Sequence, residues 1–334
     1  MDIRKVEPLI SLQGCDVTLP TMGLGTWAWG DKTTWGMNDY DRSYNIETIR
    51  QAYQASVDLG VTFLDTAEAY GNGESERIIG QLLREDAKNR ARIVVATKFL
   101  PFPWKVALTS ELMRSLRASL QRLELPWVHL YQIHGPISLR SHAAMAAALA
   151  AAHGEGLVKA VGVSNYSEQE MRALHAALSK HGIPIASNQI EFSLLRTMPE
   201  SNGLLRACKE LGVVVLAYSP LAQGRLTGKY SASHPPPGRR QFSAFPMQEI
   251  DPIVEELRRI GARHGGLDLT PAQVALNWII CKGAIPIPGA KTKEQAAQNA
   301  GALGWRLTSE EVQALDRVSK PGQRKIFHRI WQHG

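Results

Sequence analysis

The chain contains the stretch Val61-Thr62-Phe63-Leu64-Asp65, a short apolar run that ends in a carboxylate. Two similar runs follow, Ile93-Val94-Val95-Ala96 and 128–133, and they lead into the polar residues Lys98 and His134. The segments between the runs are long enough for a helix each. Apolar strands that alternate with amphipathic helices are typical of a parallel sheet covered by helices, because both faces of such strands are buried.

The same alternation extends along most of the chain. Strands are predicted near 22–26, 61–65, 92–97, 128–133, 158–163, 185–190, 213–218 and 284–288. Helices are predicted over 45–59, 74–86, 109–123, 140–154, 167–181 and 201–211. Eight strands in 334 residues indicate an α/β chain folded as a closed (β/α)8 TIM barrel. An open sheet would show a G-x-G-x-x-G turn that begins a helix, whereas 22–27 leads into a polar and aromatic loop.

Several segments are additions to this repeat. Residues 8–20 predict an N-terminal β-hairpin, and residues 250–264 predict an extra helix. Residues 224–248 contain Pro235-Pro236-Pro237-Gly238 and several basic residues, which predicts a long loop. The pair Thr270-Pro271 is typical of a helix start and predicts that the seventh barrel helix begins there.

Composition and length are those of a globular chain, 44% hydrophobic and 21% charged. We predict a single domain over 1–334, with a barrel core over about 20–317 and a C-terminal tail over 318–334. No apolar run approaches the roughly eighteen residues of a membrane span, and the N-terminus lacks the apolar core of a signal peptide. We therefore expect a soluble protein that does not bind membranes.

The charge balance predicts a small anionic ligand. The net charge is +7, and the basic residues are dispersed except at 239–240 and 324–329. Because no basic stripe with interleaved aromatics occurs, we expect no nucleic-acid partner. The three cysteines, Cys15, Cys208 and Cys281, are far apart and odd in number. This spacing predicts neither a disulfide framework nor a metal site, and a cytoplasmic location is expected.

Four polar residues are predicted to meet at one end of the barrel, namely Asp65, Tyr70, Lys98 and His134. Each is expected at the end of one of four consecutive strands, and the carboxyl ends of parallel strands form the face where ligands bind. Taken singly, they have structural explanations: a helix cap, a packed aromatic ring, a solvated lysine and a loop histidine. Together, an acid, a phenol, an amine and an imidazole form the outline of a proton-transfer site.

Residues 60–76 read GVTFLDTAEAYGNGESE, and this segment resembles the motif of the aldo-keto reductases almost position for position. Other segments resemble the same family in the same order: Ala96-Thr97-Lys98, Gln132-Ile133-His134, Gly162-Val163-Ser164-Asn165, Gln189, Tyr218-Ser219-Pro220-Leu221 and Ile287-Pro288-Gly289-Ala290-Lys291-Thr292. The resemblance spans about 20–317. It implies a (β/α)8 barrel that reduces small-molecule aldehydes or ketones to alcohols with NADPH.

Carbonyl reduction also accounts for the residue types. Hydride addition to a carbonyl carbon leaves an alkoxide, and Tyr70 is the predicted general acid. A free phenol has a pKa of about 10; Lys98 is expected to lower it, while Asp65 keeps the lysine charged and oriented. His134 is expected to hydrogen-bond the carbonyl oxygen and to share its developing charge.

The resemblance further implies that NADPH or NADP+ lies across the barrel mouth. Ser164, Asn165 and Gln189 offer partners for the nicotinamide carboxamide, and Tyr218 is expected to stack on the nicotinamide ring. The pyrophosphate is expected to meet Ser219, Leu221, Gln223, Gly224 and Arg225, with Lys229 and the arginines at 239 and 240 closing over it. The predicted set is completed by Thr26, Trp27, Asp65, Pro220 and Gly289.

Lys291 is the residue expected to contact the 2′-phosphate of NADP. It precedes a helix predicted to begin near Lys293, and a helix N-terminus favours phosphate. Gln295 is expected beside it, and Gln298 and Asn299 at the adenine edge. Some family members carry arginine where Gln295 stands, and glutamine lacks the fork with which arginine binds phosphate. Both a preference for NADPH and the use of either cofactor therefore stay open, as does a solvated, non-functional Lys291.

Aromatic residues are concentrated in the loops after the first and third strands, which predicts an apolar or aromatic carbonyl substrate. They are Trp27, Trp29, Trp35, Phe99, Phe102 and Trp104. Polar selectivity is expected from Asp31, Lys32 and Asn38. Segments 285–291 and 300–305 resemble a plant and bacterial branch of the family that includes pyridoxal reductases.

Two other functions stay open. The chain also resembles the β subunits of voltage-gated potassium channels, which bind NADPH and act mainly as regulatory, redox-sensing partners. Slow turnover with a tightly held cofactor would favour that function. A phosphate-binding isomerase or aldolase would use Lys98 as a Schiff-base amine, but Asp65 opposes this by keeping the lysine protonated. The sequence does not indicate an oligomeric state.

Overall fold

The computed structural model of the chain describes residues 7–37, 41, 43–236, 245–264, 268–323 and 330–334. Predictions on Asn38, on the arginines at 239 and 240, and on the basic residues of 324–329 lie outside the described residues. Within the described parts, no helix is both long enough and apolar enough to pass through a bilayer.

An antiparallel hairpin precedes the barrel and covers the amino-terminal ends of its strands. Its two strands are β1 (Ile10–Ser11) and β2 (Thr18–Leu19). The side chain of Gln13 donates a hydrogen bond of 2.6 Å to Ile185 O, at the start of a barrel strand. Leu12 is buried against the barrel interior. The predicted N-terminal hairpin is confirmed, and it closes the end of the barrel opposite the candidate site.

Eight parallel strands form one sheet, in chain order. They are β3 (Gly23–Gly25), β4 (Phe63–Asp65), β5 (Val94–Phe99), β6 (Val128–Ile133), β7 (Val158–Ser164), β8 (Ile185–Glu191), β9 (Val214–Tyr218) and β10 (Ile285–Pro286). Gly25 N donates to Pro288 O at 3.0 Å, and this contact joins the first strand to the segment after the last. A Cβ on Gly25 would lie 2.7 Å from Ile287 O, so the closure requires glycine. The predicted (β/α)8 TIM barrel is confirmed.

Helices follow the barrel strands along the chain, and two of them come after the last strand. They are α1 (Ile46–Asp58), α2 (Glu74–Glu85), α3 (Leu108–Leu123), α4 (His142–Gly154), α5 (Glu168–Ser179), α6 (Met198–Ser201), α7 (Leu204–Leu211), α8 (Met247–Gly261), α9 (Pro271–Cys281), α10 (Lys293–Ala300) and α11 (Ser309–Val318). Thr270 caps α9 as predicted, and its hydroxyl accepts from Gln273 N. The helix expected over 201–211 begins only at Leu204, because Gly203 adopts a left-handed conformation that separates α7 from the short helix α6.

Helix α11 was not expected from the apolar pattern, although its first turn carries a readable signal. Thr308 and Glu311 form a capping box, in which each side chain bonds the backbone N–H of the other residue. The outer faces of the strands are covered by apolar helix faces such as Leu112, Leu116 and Leu120 of α3, which recur every fourth residue. The helices thus cover the outside of the barrel, and the loops at the carboxyl ends of the strands are left to form a site.

Candidate active site

Lys98 lies at the centre of a buried polar cluster at the end of β5. Its ammonium donates to Asp65 Oδ1 at 2.6 Å, to Thr66 O at 2.8 Å and to Tyr70 Oη at 3.2 Å. The lysine side chain is wholly buried, and that of Asp65 is 2% exposed. Burial acts to lower the pKa of Lys98, but the charge of Asp65 and the phenol of Tyr70 outweigh it and raise that pKa. The lysine is therefore charged, as expected from the sequence.

Asp65 accepts from two side-chain amides in addition to the lysine. Gln132 Nε2 lies 3.1 Å from Asp65 Oδ2, and Gln189 Nε2 lies 2.7 Å from the same oxygen. Both oxygens of this buried carboxylate therefore accept hydrogen bonds, which burial of a charge requires. Gln132 was not predicted as a site residue. Its place two residues before His134 on β6, with its side chain turned into the barrel by the strand alternation, is the signal that could have found it.

Tyr70 follows the same strand as Asp65, in a short 3₁₀ turn over Tyr70–Gly73, rather than ending a strand of its own. The expectation of four consecutive strand ends is therefore wrong: three strands, β4, β5 and β6, supply the four residues. Burial raises the pKa of Tyr70, and Lys98 lowers it, but the net pKa is above 10. The predicted effect of Lys98 has the right sign, yet burial together with the charge of Asp65 exceeds it.

His134 follows β6 and faces Tyr70, with the two ring centroids 5.7 Å apart. Its backbone N–H donates to Phe99 O at 2.8 Å, which fixes the loop to the neighbouring strand. Burial, and in second place the charge of Lys98, hold the pKa of His134 well below its usual value of 6.5. The ring is therefore neutral at pH 7. Its Nδ1 is buried without a hydrogen-bond partner among the described residues.

A cavity of about 1050 Å³ opens at the carboxyl ends of the strands. Among the described residues, every one predicted for catalysis or for cofactor contact lines it, apart from Lys98 and Arg225. Lys98 lies behind Asp65 and Tyr70 in the wall. Arg225 is only 5% exposed, and its guanidinium donates to Ala222 O at 3.3 Å within its own turn.

The backbone of the cavity rim is strained at several positions. Asn165, after β7, has a φ of 63°, and Ser219, after β9, has a φ of 48°. Ala222 and Gln223 also have positive φ values, of 47° and 56°. Positive φ is uncommon for residues with a side chain, and it persists where the surrounding structure fixes a particular backbone direction. The strained positions lie in the segments predicted to contact the nicotinamide and the pyrophosphate.

The aromatic residues expected at the substrate pocket divide into two groups. Trp27 and Trp35 line the cavity. Trp29 does not, because it is fully buried and donates its indole N–H to Ala290 O at 3.0 Å. The expectation is also wrong for the aromatic residues at and after the end of β5: Phe99, the last residue of β5, is fully buried, and Phe102 stacks on Trp104 outside the cavity lining.

Two residues of the C-terminal segment 331–334, Trp331 and Gln332, line the cavity, which the sequence did not indicate. The Trp331 ring lies 5.3 Å from that of His134. The side-chain amide of Gln332 donates to Tyr218 Oη, and the backbone N–H groups of His333 and Gly334 both donate to Asn165 O. This segment has no periodic pattern, so only its tertiary contacts reveal that it forms a wall beside the histidine.

At the opposite end of the cavity, Lys291 precedes α10. Thr292 caps this helix, and its hydroxyl accepts from Gln295 N at 3.4 Å. Gln298 and Asn299 lie on the same helix and also line the cavity. The cation and the start of the helix therefore lie together, as predicted for a phosphate contact.

A sequence profile of the Aldo/keto reductase family matches residues 21–320. The chain belongs to this family. The match covers all eight barrel strands and includes Asp65, Tyr70, Lys98 and His134. Membership of this family makes the chain an oxidoreductase that acts on carbonyl compounds.

Named relatives of this aldo/keto reductase differ in substrate and cofactor. A chloroplastic pyridoxal reductase of Arabidopsis thaliana is 37% identical over 330 residues, covering 95% of this chain and 87% of that protein. An NADH-specific methylglyoxal reductase of Escherichia coli is 31% identical, covering 94% and 99%. Among solved structures, an aldo-keto reductase of Klebsiella pneumoniae in complex with NADPH has a TM-score of 0.74 at 28% identity, covering 96% and 98%.

Proposed function

We propose that this aldo/keto reductase reduces aldehydes or ketones to alcohols with NADPH, and that Tyr70 supplies the proton. The observation that carries the proposal is the buried ammonium of Lys98, held 2.6 Å from Asp65 Oδ1 and 3.2 Å from Tyr70 Oη at the wall of a large cavity. A phenol beside a fixed cation is a general acid at a site where negative charge develops on oxygen.

Tyr70 acts as the acid because it keeps its proton until the reaction demands it. Its raised pKa means that the phenol is protonated throughout the neutral range. When bound, NADPH supplies the hydride that adds to the carbonyl carbon. The carbonyl oxygen then becomes far more basic than a phenolate and takes the proton from Tyr70, which completes the alcohol. Lys98 stabilises the phenolate that remains.

Asp65 and His134 have different supporting roles in this proposal. Asp65 keeps Lys98 charged and fixes the direction of the ammonium, since the carboxylate is itself held by Gln132 and Gln189. His134 orients the carbonyl oxygen toward Tyr70. A neutral imidazole can donate one hydrogen bond to that oxygen without itself losing a proton.

The donor set of the cavity suits an extended dinucleotide. Ser164, Asn165 and Gln189 bring amide and hydroxyl groups to the middle of the cavity, which match the carboxamide of nicotinamide. The Tyr218 ring is available beside them for stacking. The left-handed turn at Gln223 and Gly224 lies along the wall where a pyrophosphate would pass. Lys291 and the start of α10 would hold the 2′-phosphate.

For the substrate, we propose a planar aromatic aldehyde, with pyridoxal as the first compound to test. Trp331 faces His134 across 5.3 Å, and Trp27 and Trp35 stand edge to face on the same cavity with centroids 5.5 Å apart. Aromatic rings prefer such offset and edge contacts with a further ring. The similarity to a pyridoxal reductase over 95% of the chain supports the same class.

The test follows the loss of NADPH absorbance in the presence of the purified protein and a panel of carbonyls. The panel contains pyridoxal, methylglyoxal, an aromatic aldehyde and a simple sugar, and each compound is tested with NADPH and with NADH. We expect the highest kcat/KM with NADPH and pyridoxal. Tight NADPH binding without turnover on any compound would overturn the proposal and favour a regulatory, cofactor-sensing role.

A further inference from the structure

The ammonium of Lys291 already has a carboxylate beside it. Its Nζ lies 3.7 Å from Asp41 Oδ2, and the lysine side chain is 16% exposed. The same Nζ lies 4.7 Å from the ring centroid of Tyr44 and 5.8 Å from that of Trp35. The cation is thus held between a carboxylate and two aromatic rings, all four residues lining the cavity.

Asp41 is fixed in this position by its neighbours. The hydroxyl of Ser43 donates to Asp41 Oδ1 at 2.5 Å, and Asp41 N donates to Gly36 O at 3.0 Å. Tyr44 N in turn donates to Asp41 O at 3.2 Å, which ties the aspartate to the residue whose ring faces Lys291. The bond from Ser43, followed by the charge of Lys291, lowers the pKa of Asp41 despite partial burial, so the carboxylate is ionised at neutral pH.

We infer that Asp41 competes with the 2′-phosphate of NADPH for Lys291, so that this chain discriminates only weakly between NADPH and NADH. The inference rests on the proposed function, in which Lys291 contacts that phosphate. A phosphate dianion placed at Lys291 meets the negative charge of Asp41 at close range. NADH carries a 2′-hydroxyl instead. This hydroxyl can donate a hydrogen bond to a carboxylate, as it does to acidic residues in other dinucleotide sites.

The neighbouring side chain adds no compensating charge. Gln295 is neutral, and its Oε1 accepts from Lys291 N at 2.8 Å. An arginine at this position would supply a second cation and a forked pair of donors to the phosphate. The Lys291–Asp41 pair therefore sets the charge that a 2′-phosphate meets at this end of the cavity.

The test measures equilibrium dissociation constants for NADPH and NADH by quenching of tryptophan fluorescence. We expect the wild-type constants to differ by less than about tenfold. Asp41→Asn removes the negative charge and should lower the dissociation constant for NADPH about fivefold, which is the effect expected of one partly exposed charge contact. The dissociation constant for NADH should stay equal or rise. Asp41→Ser removes the same charge with a smaller side chain. It should shift the ratio of the NADH dissociation constant to the NADPH dissociation constant in the same direction.

Two further variants separate the possible outcomes. Asp58→Asn makes the same change in net charge at an exposed residue that bonds Gln54, and it should leave the ratio unchanged. Lys291→Ala should weaken the binding of NADPH far more than the binding of NADH. If Lys291→Ala has this effect while both Asp41 variants leave the ratio unchanged, the inference is wrong and the phosphate site stands. If Lys291→Ala affects both cofactors equally, the phosphate site of the proposed function is wrong as well.

Discussion

The phenol of Tyr70 accepts a hydrogen bond from the buried ammonium of Lys98, which also bonds Asp65, and the pKa of Tyr70 reflects both charges. We expect Tyr70→Phe to lose about two to four orders of magnitude in kcat, because general acid catalysis contributes about that much and the phenylalanine ring has no proton to donate. NADPH affinity should change less than about twofold, since the change removes only a hydroxyl. Stopped-flow turnover and fluorescence titration measure the two quantities. Full activity in this variant would contradict the assignment of the acid.

The pH dependence of the reaction tests both ionisable groups that would touch the carbonyl. The acid form of Tyr70 is present below its pKa, which is raised above 10, and His134 is neutral above a pKa well below 6.5. At saturating NADPH, kcat for reduction should therefore be flat between about pH 6 and pH 9 and should fall only at higher pH. Alcohol oxidation needs the phenolate and should rise with pH over the alkaline range. An inflection near pH 6.5 in the reduction profile would show that His134 titrates in the working range.

At the scale of elements, the C-terminal segment 331–334 is expected to set substrate choice. Trp331→Ala removes the ring beside His134, and an aromatic contact of this kind is worth about 1 kcal/mol. We expect KM for pyridoxal to rise about fivefold, while KM for methylglyoxal, which has no ring, stays within about twofold. Trp104→Ala is the matched control, because Trp104 is 70% exposed and lies outside the cavity. Equal changes for both aldehydes would mean that Trp331 acts on the fold rather than on the substrate.

The elements differ in how far the sequence could predict them. The barrel strands were predictable because each is an apolar run buried on both faces, and runs such as 128–133 have the observed bounds. The close approach of Lys98 and Asp65 was predictable because the carboxyl ends of parallel strands share one face. The contacts of Gln132 and Trp331 were not, since they join residues distant in the chain. The raised pKa of Tyr70 was missed because burial of the phenol depends on the assembled site rather than on sequence spacing.

The buried Lys98–Asp65 pair should contribute both to the stability of the whole barrel and to the proposed catalysis. Removing one partner of such a pair leaves the other charge without compensation, at a cost of about 3–5 kcal/mol in the free energy of unfolding. We expect Lys98→Met to lower the free energy of unfolding by this amount, which is seen as a lower urea midpoint. The reason is that Asp65 keeps its two amide donors but loses its cation. The double variant Lys98→Met with Asp65→Asn removes both charges and should recover most of that stability.

Measuring turnover separates the contribution of the pair to catalysis from its contribution to stability. Neither variant should recover kcat, because the cation that stabilises the phenolate of Tyr70 is absent from both. Urea unfolding followed by circular dichroism, together with kcat for the same preparations, tests this directly. A Lys98→Met protein as stable as the wild type would mean that Asp65 becomes protonated when the lysine is lost. A double variant that regains turnover would show that Tyr70 transfers its proton without the ammonium, and the buried pair would then serve the fold alone.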